Sequence, residues 1–182
     1  MKITPTEIKD VYIIEPDVFE DHRGWFAETY NKEKFKEYGI DINFIQDNHS
    51  FSLKKGTLRG LHLQKSPFSQ TKLVRCTRGA VLDVAVDLRK NSPTFKKWVA
   101  VELTAQNKRQ LFIPQGFAHG FILLEDDTEF NYKVDNKYSK DHEIGIRYDD
   151  PELGIDWVIS NPILSEKDLG APYLNDIDIN FE

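Results

Sequence analysis

A chain of 182 residues with 40% hydrophobic content, including 12 Phe, 7 Tyr and 3 Trp, has the length for one well-cored domain, and a single domain over residues 1–182 is expected. Its formal net charge of -6 excludes general nucleic-acid binding, which needs a broad basic face against phosphates, while a small anionic ligand stays open where Arg and Lys gather locally. Cys76 is the only cysteine, which excludes an internal disulfide and a cysteine-based metal site. The longest apolar stretch, residues 117–124, is broken by His119 and Gly120, and the first residues hold no signal-like apolar core, so a soluble cytoplasmic protein without membrane contact is expected.

Residues 11–14 and 25–30 read as short strands joined by PDVFEDHRG, whose Pro, Asp and Gly form turns; Arg23 and Glu28 flank the second strand. NKEKFKEYG predicts a short peripheral helix: Asn31 caps its start, Phe35 and Tyr38 share a face, and Gly39 ends it. Beyond it the pattern is β, with strands over 44–46, 49–53, 58–64, 72–78, 81–88, 98–103, 110–113, 121–124 and 128–134. In the 81–88 segment Leu82, Val84, Val86 and Leu88 share the face that must meet a core, while Asp83 and Asp87 point the other way. Turns such as KKG, RGA, KNSP, PQG and EDD recur closely, so hairpin follows hairpin as in an antiparallel sandwich or barrel, with no βαβ rhythm. After residue 148, DDPELGIDW is turn-rich and Ser165 caps a single turn in SEKD; this tail is expected to pack across the sheet.

Polar groups inside the apolar pattern carry the chemical signal. In the 58–64 strand, alternation sets Gly60, His62 and Gln64 on one face and Arg59, Leu61 and Leu63 on the other. An imidazole, with an unperturbed pKa of about 6.5, suits proton transfer near neutrality, although a lone histidine is more often a core residue satisfied by one hydrogen bond. Lys72 shares a face with Val74 and Cys76, and Tyr132 with Phe130 and Val134. A buried lysine is costly unless paired, which makes Lys72 the more telling of the two. On three inward faces, His62, Lys72 and Tyr132 would supply a base, a cation and an acid, a set suited to proton abstraction beside a carbonyl.

His119 lies in PQGFAHGF, where a proline and two glycines shape a loop; a loop histidine bonded to a carbonyl is the plain alternative. His49, His62 and His119 with Glu28 or Glu129 offer imidazole and carboxylate ligands to a metal. Metal sites in small β-barrels usually place two histidines one residue apart, whereas Leu63 and Gln64 follow His62 here, so no metal is expected. Arg23, Arg59 and Lys167 are surface charges unless they converge.

The ordered motifs DHRGWFAE, QDNHS, LRGLHLQ, TKLVR, SPTFKKW, RQLFIPQGFAHGF, FNYKV, DDPELGIDW and LSEKD resemble the dTDP-4-dehydrorhamnose 3,5-epimerase family, from about residue 11 to residue 168. The resemblance implies a cupin-type double-stranded jelly roll with a few short helices, working as a homodimer without metal or other cofactor. The implied reaction inverts carbons 3 and 5 of dTDP-4-dehydro-6-deoxy-D-glucose beside its keto group. By position, His62 matches the family's proton acceptor, Asp168 the carboxylate that orients it, Tyr132 the proton donor and Lys72 the residue near the keto oxygen.

Substrate binding falls, by the same resemblance, to Arg23, Glu28, Gln46, Asn48, Arg59, His119, Glu143 and Lys167, with Arg59 and Lys167 on the diphosphate. Tyr138 is similar to the aromatic that packs on the thymine, with Phe19 and Phe26 as lesser candidates. Strict alternation sets Arg59 opposite His62, so its role requires a strand end or a bulge. The chain departs from the family pattern at Leu63, Thr71 and Asn131, which bears on the sugar and on how many centres are inverted. A mono-epimerase or ketoisomerase on a related nucleotide sugar, a metal-dependent cupin enzyme and a non-catalytic sugar-binding module are the competing readings.

Overall fold

Turn-forming residues cut the apolar pattern into short pieces, and the pieces become strands because β-branched and aromatic residues dominate them. The computed structural model describes residues 1–179 and 181. Its strands are β1 (Lys2–Pro5), β2 (Tyr12–Glu15), β3 (Val18–Asp21), β4 (Gly24–Ala27), β5 (Gln46–Ser52), β6 (Leu58–Gln64), β7 (Lys72–Arg78), β8 (Ala80–Asp87), β9 (Trp98–Thr104), β10 (Gln110–Ile113), β11 (Phe117–Leu123), β12 (Thr128–Val134) and β13 (Glu143–Gly145). Helix α1 (Lys32–Glu37) follows β4, and α2 (Glu166–Leu169) lies in the tail.

A six-stranded sheet runs β1-β2-β10-β7-β12-β5 and a five-stranded sheet β13-β6-β11-β8-β9, while β3 and β4 form a separate hairpin. Pairing within the sheets is antiparallel. Between the sheets Val74, Leu111 and Phe130 meet Val81, Ala85, Phe117, Phe121 and Leu123. The outer face of the five-stranded sheet, with Leu58, Leu61, Val84, Val86 and Ile122, is covered by Leu153, Trp157 and Leu174 of the tail. The outer face of the other sheet packs Ile14, Leu73 and Phe112 against Phe35 of α1 and Ile40. The architecture is a cupin-type double-stranded jelly roll clad on both sides. Among the described residues no helix is long and apolar enough to cross a membrane.

Local chemistry fixes the cladding. Asn31 accepts from the Lys34 N–H at 3.2 Å and caps α1, whose Phe35 is buried, a contribution of about 2 kcal/mol. Tyr38 stays exposed. In the tail, Leu58 N–H donates to Ile163 at 2.9 Å and Ile163 N–H to Gly56 at 2.8 Å. The buried Asp150 carboxylate accepts from the N–H groups of Glu152, Leu153 and Leu174, tying the turn-rich segment to the chain beyond α2. The tail crosses the sheet as expected.

Several elements differ from the sequence reading. Residues 18–21, read as turn, are β3, paired with β4 at Phe19 and Phe26. The strands expected over 44–46 and 49–53 are one strand, β5, held along β12. β1 and β13 are additional edge strands. His119 lies inside β11 and not in a loop, because that strand starts earlier, at Phe117. In β8 both faces are buried: Val84 and Val86 lie under the tail, while Val81 and Ala85 face the other sheet. The tail turns what would be a solvent face into a second core, and Asp83 is 0% exposed.

The register of β6 against β11 slips by one residue. His62 pairs with His119 and Arg59 with Phe121, so two residues of β6, Gly60 and Leu61, oppose Gly120 alone. The bulge resets the alternation: Leu58 and Leu61 both face the tail, and Arg59 and His62 share the other side. Gly60 sits at φ +120°, and a Cβ there would meet Gly120 Cα and the His119 carbonyl oxygen, each at 2.7 Å. Gly60→Ala should therefore lower stability by about 2 kcal/mol. Urea denaturation reads this as a lower midpoint at constant slope, and an unchanged midpoint would mean the bulge tolerates a side chain.

Candidate active site

One deep cavity opens between the sheets, in two lobes of about 370 and 420 Å³ that share His62, Lys72 and Tyr132. His62 comes from the five-stranded sheet, and Lys72 and Tyr132 come from the six-stranded one. The first lobe adds Gln46, Asn48, Tyr138 and Glu143; the second adds Arg59, His119, Lys167 and Asp168.

His62 Nε2 lies 2.6 Å from Asp168 Oδ1. A carboxylate accepts, so Nε2 carries the proton and Nδ1 is left as the basic nitrogen. Helix α2 aims the aspartate: Ser165 Oγ accepts from the Asp168 N–H at 3.1 Å and caps the turn. Burial pushes the Asp168 carboxyl upward, but hydrogen bonds from His62, Ser165 and the Gly60 N–H outweigh it and hold the group below its ordinary range. Asp168 is 5% exposed.

Lys72 and Tyr132 face the cavity from adjacent strands. Burial lowers the Lys72 ammonium to about 8, against the opposing pull of the Asp83 and Glu143 carboxylates. Burial also raises the Tyr132 phenol, Arg59 opposing and Glu143 assisting. Neither residue's polar tip has a hydrogen-bond partner among those described between protein groups, which leaves both available to a ligand.

At the mouth of the first lobe, Glu143 Oε2 accepts from the Tyr138 hydroxyl at 2.8 Å and from Lys167 Nζ at 2.6 Å. Burial raises the Glu143 carboxyl, yet Lys167 and Tyr138 together hold it below its usual value. Asn48 pairs across strands with Tyr132 and accepts from Gln46 Nε2 at 2.8 Å. Arg59 donates through Nε and Nη2 to Ser52 Oγ at 3.1 and 3.0 Å, and the bulge in β6 supplies the irregularity that its place beside His62 requires.

His119 is buried, its Nε2 2.9 Å from Asp83 Oδ2, and its ring stacks on Phe130 at 6.2 Å between centroids. Burial lowers the His119 imidazole, with Asp83 opposing and Lys72 and His62 assisting. Asp83 is the site residue that the sequence reading turned away from the core; an aspartate inside the apolar run AVLDVAV was the available signal.

Arg23 and Glu28 do not line this cavity. Arg23 pairs with Asp21 on the β3–β4 hairpin, beside the exposed Phe19 and Phe26, and Glu28 pairs with Lys34 at 2.7 Å. His49 faces Glu129 at 3.2 Å on the exposed side of the six-stranded sheet. Among the described residues no three His, Cys, Asp or Glu side chains converge as a metal ion's ligands would. Of the three departures from the family pattern, Leu63 lines the first lobe, Thr71 is buried with its N–H on Asp135, and Asn131 points outward to Thr77.

The chain that builds this cavity has close counterparts among known proteins. The profile of the dTDP-4-dehydrorhamnose 3,5-epimerase family matches residues 5–176. The dTDP-4-dehydrorhamnose 3,5-epimerase of Shigella flexneri is 55% identical over 98% of each chain. The crystal structure of the epimerase from Elizabethkingia anophelis superposes with a TM-score of 0.93 at 53% identity, covering 97% of both chains. The Legionella pneumophila enzyme, solved in complex with dTDP-4-keto-L-rhamnose, gives 0.93 at 47% identity over 97% of this chain and 94% of its own. A match across nearly the whole length, in sequence and in fold together, means that this chain belongs to the dTDP-4-dehydrorhamnose 3,5-epimerase family.

Proposed function

We propose that the protein is an isomerase that converts dTDP-4-dehydro-6-deoxy-D-glucose to dTDP-4-dehydro-L-rhamnose by inverting carbons 3 and 5, as a step in dTDP-rhamnose biosynthesis. The observation that carries this reading is the division of labour between the sheets: the His62–Asp168 pair stands on one and Tyr132 with Lys72 on the other. Inversion needs a proton removed from one face of the sugar and returned to the opposite face, which a single base cannot do.

In this reading His62 Nδ1 accepts the hydrogen of the carbon beside the ketone as a proton, and the bonding pair moves toward the keto oxygen. The Lys72 ammonium stabilises the resulting enolate, a role in which a charge already oriented in a dry site is most effective. Tyr132 gives its phenolic proton to the other face, and exchange with water restores His62 and Tyr132 for the second centre. Asp168 steadies the imidazolium, as a carboxylate does in hydrolase triads.

Arg59 and Lys167 hold the diphosphate, Lys167 leaving Glu143 to do so. Tyr138 stacks on the thymine, and Gln46, Asn48, His119 and Glu143 contact sugar and nucleotide. Arg23 and Glu28 complete binding through a homodimer: Phe19, Trp25 and Phe26 are 64%, 57% and 68% exposed on the hairpin that carries Arg23, and an apolar tip of that kind favours burial against a second copy. We take residues 1–182 as one domain, needing no cofactor and acting in the cytoplasm.

The test is hydrogen exchange from deuterated water into the dTDP-4-keto sugar, followed by NMR at carbons 3 and 5. Exchange and inversion at both carbons are expected. Inversion at one carbon alone would make the protein a mono-epimerase, and loss of turnover on chelation would reinstate a metal. His62→Ala should reduce turnover by about 10²- to 10⁴-fold while leaving dTDP affinity intact; equal turnover would remove His62 from the role of base.

Tyr132→Phe keeps the ring's volume and deletes only the donor, so it should still exchange hydrogen beside the ketone but form little inverted product. Continued inversion at the original rate would assign the donor elsewhere. Because Lys72 is held at about 8, kcat/KM should fall above that pH as the ammonium loses its proton. Lys72→Arg, slower but permanently charged, should lack this alkaline limb, and a limb retained in that variant would belong to another group.

A further inference from the structure

Asp83 is the charged group for which the proposed chemistry has no use, and it lies in the most protected part of the sheet. It sits on β8 between Val81 and Ala85, with backbone partners Phe121 on β11 and Val101 on β9. Its exposure is 0%, and phenyl rings of Phe121 and Phe130, stacked at 4.0 Å, flank the histidine it binds. Oδ2 accepts a hydrogen bond from the His119 Nε2–H at 2.9 Å, while Oδ1 has no hydrogen-bond partner among the described residues.

A carboxylate buried with one oxygen unpaired is a large cost in a strand whose neighbours are Val, Leu and Ala. Packing alone would be served by a valine or threonine of similar volume. What an aspartate adds is negative charge behind the cavity wall, on the side where His119 and Lys72 line the second lobe.

We propose that Asp83 is a positioning residue for the epimerisation: it fixes the tautomer of His119 and supplies the buried counter-charge of Lys72. With the Nε2 proton committed to Asp83, Nδ1 of His119 is the ring's acceptor, able to receive a hydrogen bond from a sugar hydroxyl. Toward Lys72 the arrangement divides by sign. His62 and Arg59 of β6, His119 of β11 and Lys167 and Asp168 of α2 line the cavity with it, Tyr132 of β12 adds a phenol, Asp168 is engaged by His62, and Asp83 of β8 and Glu143 of β13 are the carboxylates that oppose its burial. Glu143 is already engaged by Lys167 and Tyr138, whereas Asp83 keeps a free oxygen.

The inference rests on the epimerase reading, and its test separates the two. The kcat/KM profile of Asp83→Asn is measured against pH beside that of the wild type, together with titration of the Lys72 side chain by NMR, its signal assigned by its loss in Lys72→Arg. The alkaline limb and the Lys72 titration should both move to lower pH by about one unit or more, with dTDP affinity unchanged. A variant that is slower at every pH with both midpoints unmoved would make Asp83 a packing residue and overturn the inference. If the wild type itself fails to exchange hydrogen in the keto sugar, the epimerase reading falls, and the NMR titration alone still decides whether Asp83 serves Lys72. Should Asp83→Asn not fold, the double variant with Lys72→Met removes both charges. Its recovery of folded protein supports the pairing, and its continued failure to fold overturns it.

Discussion

The site depends on one extra residue in β6. A strand that alternated without interruption would set Arg59 and His62 on opposite sides of the sheet, one in the sandwich and one under the tail. The slip opposite Gly120 brings both to the cavity and sends Leu58 and Leu61 together into the outer core. The same slip requires two glycines back to back, since a Cβ on Gly60 would run into the backbone of Gly120. Geometry at His62 is thus bound to geometry in the core: the bulge cannot be ironed out without turning a charged guanidinium or an imidazole into the layer that holds Trp157.

Around that bulge the polar groups of the cavity are matched by sign. His62 has Asp168, His119 has Asp83, and Lys167 has Glu143, each at 2.6 to 2.9 Å. Lys72 has no direct partner of its own, and burial brings its ammonium to about 8. A buried cation with no carboxylate in direct contact, its counter-charges lying only at a distance, is a group on which a negative charge brought close has a large effect. Pairing the histidines and leaving Lys72 without a direct contact therefore separates groups held in one orientation from a charge that no neighbouring side chain caps.

Much of this was readable from residues alone, and the failures have particular causes. Lys72 with Val74 and Cys76, and Tyr132 with Phe130, lie on the faces that period-two counting assigns, since β7 is regular there and β12 is regular from Phe130 onward. Asn31 and Ser165 cap the helices expected of them, because cap chemistry is local. Asp83 was misplaced because counting on β8 alone cannot reveal that the tail buries its second face. His119 was misplaced because proline and glycine marked a loop where β11 had already begun. The bulge leaves a trace only in Gly60 and Gly120, whose meaning depends on their facing each other. Arg23 and Glu28 entered through family resemblance, and nothing in local pattern links their hairpin to the cavity.

The carboxylate that serves His62 lies 106 positions further along the chain, on a turn of helix delivered by the tail. Translation at about 5 to 20 residues per second spaces the two by roughly 5 to 20 s. All of the described sheet strands precede residue 168, the last ending at Gly145, so the sandwich is free to close before the dyad exists. The His62–Asp168 contact is consequently completed only after the strands have been made, when the tail docks on the five-stranded sheet. Strand pairing and tail docking are thereby separable in time, the second closing both the outer core and the contact to His62.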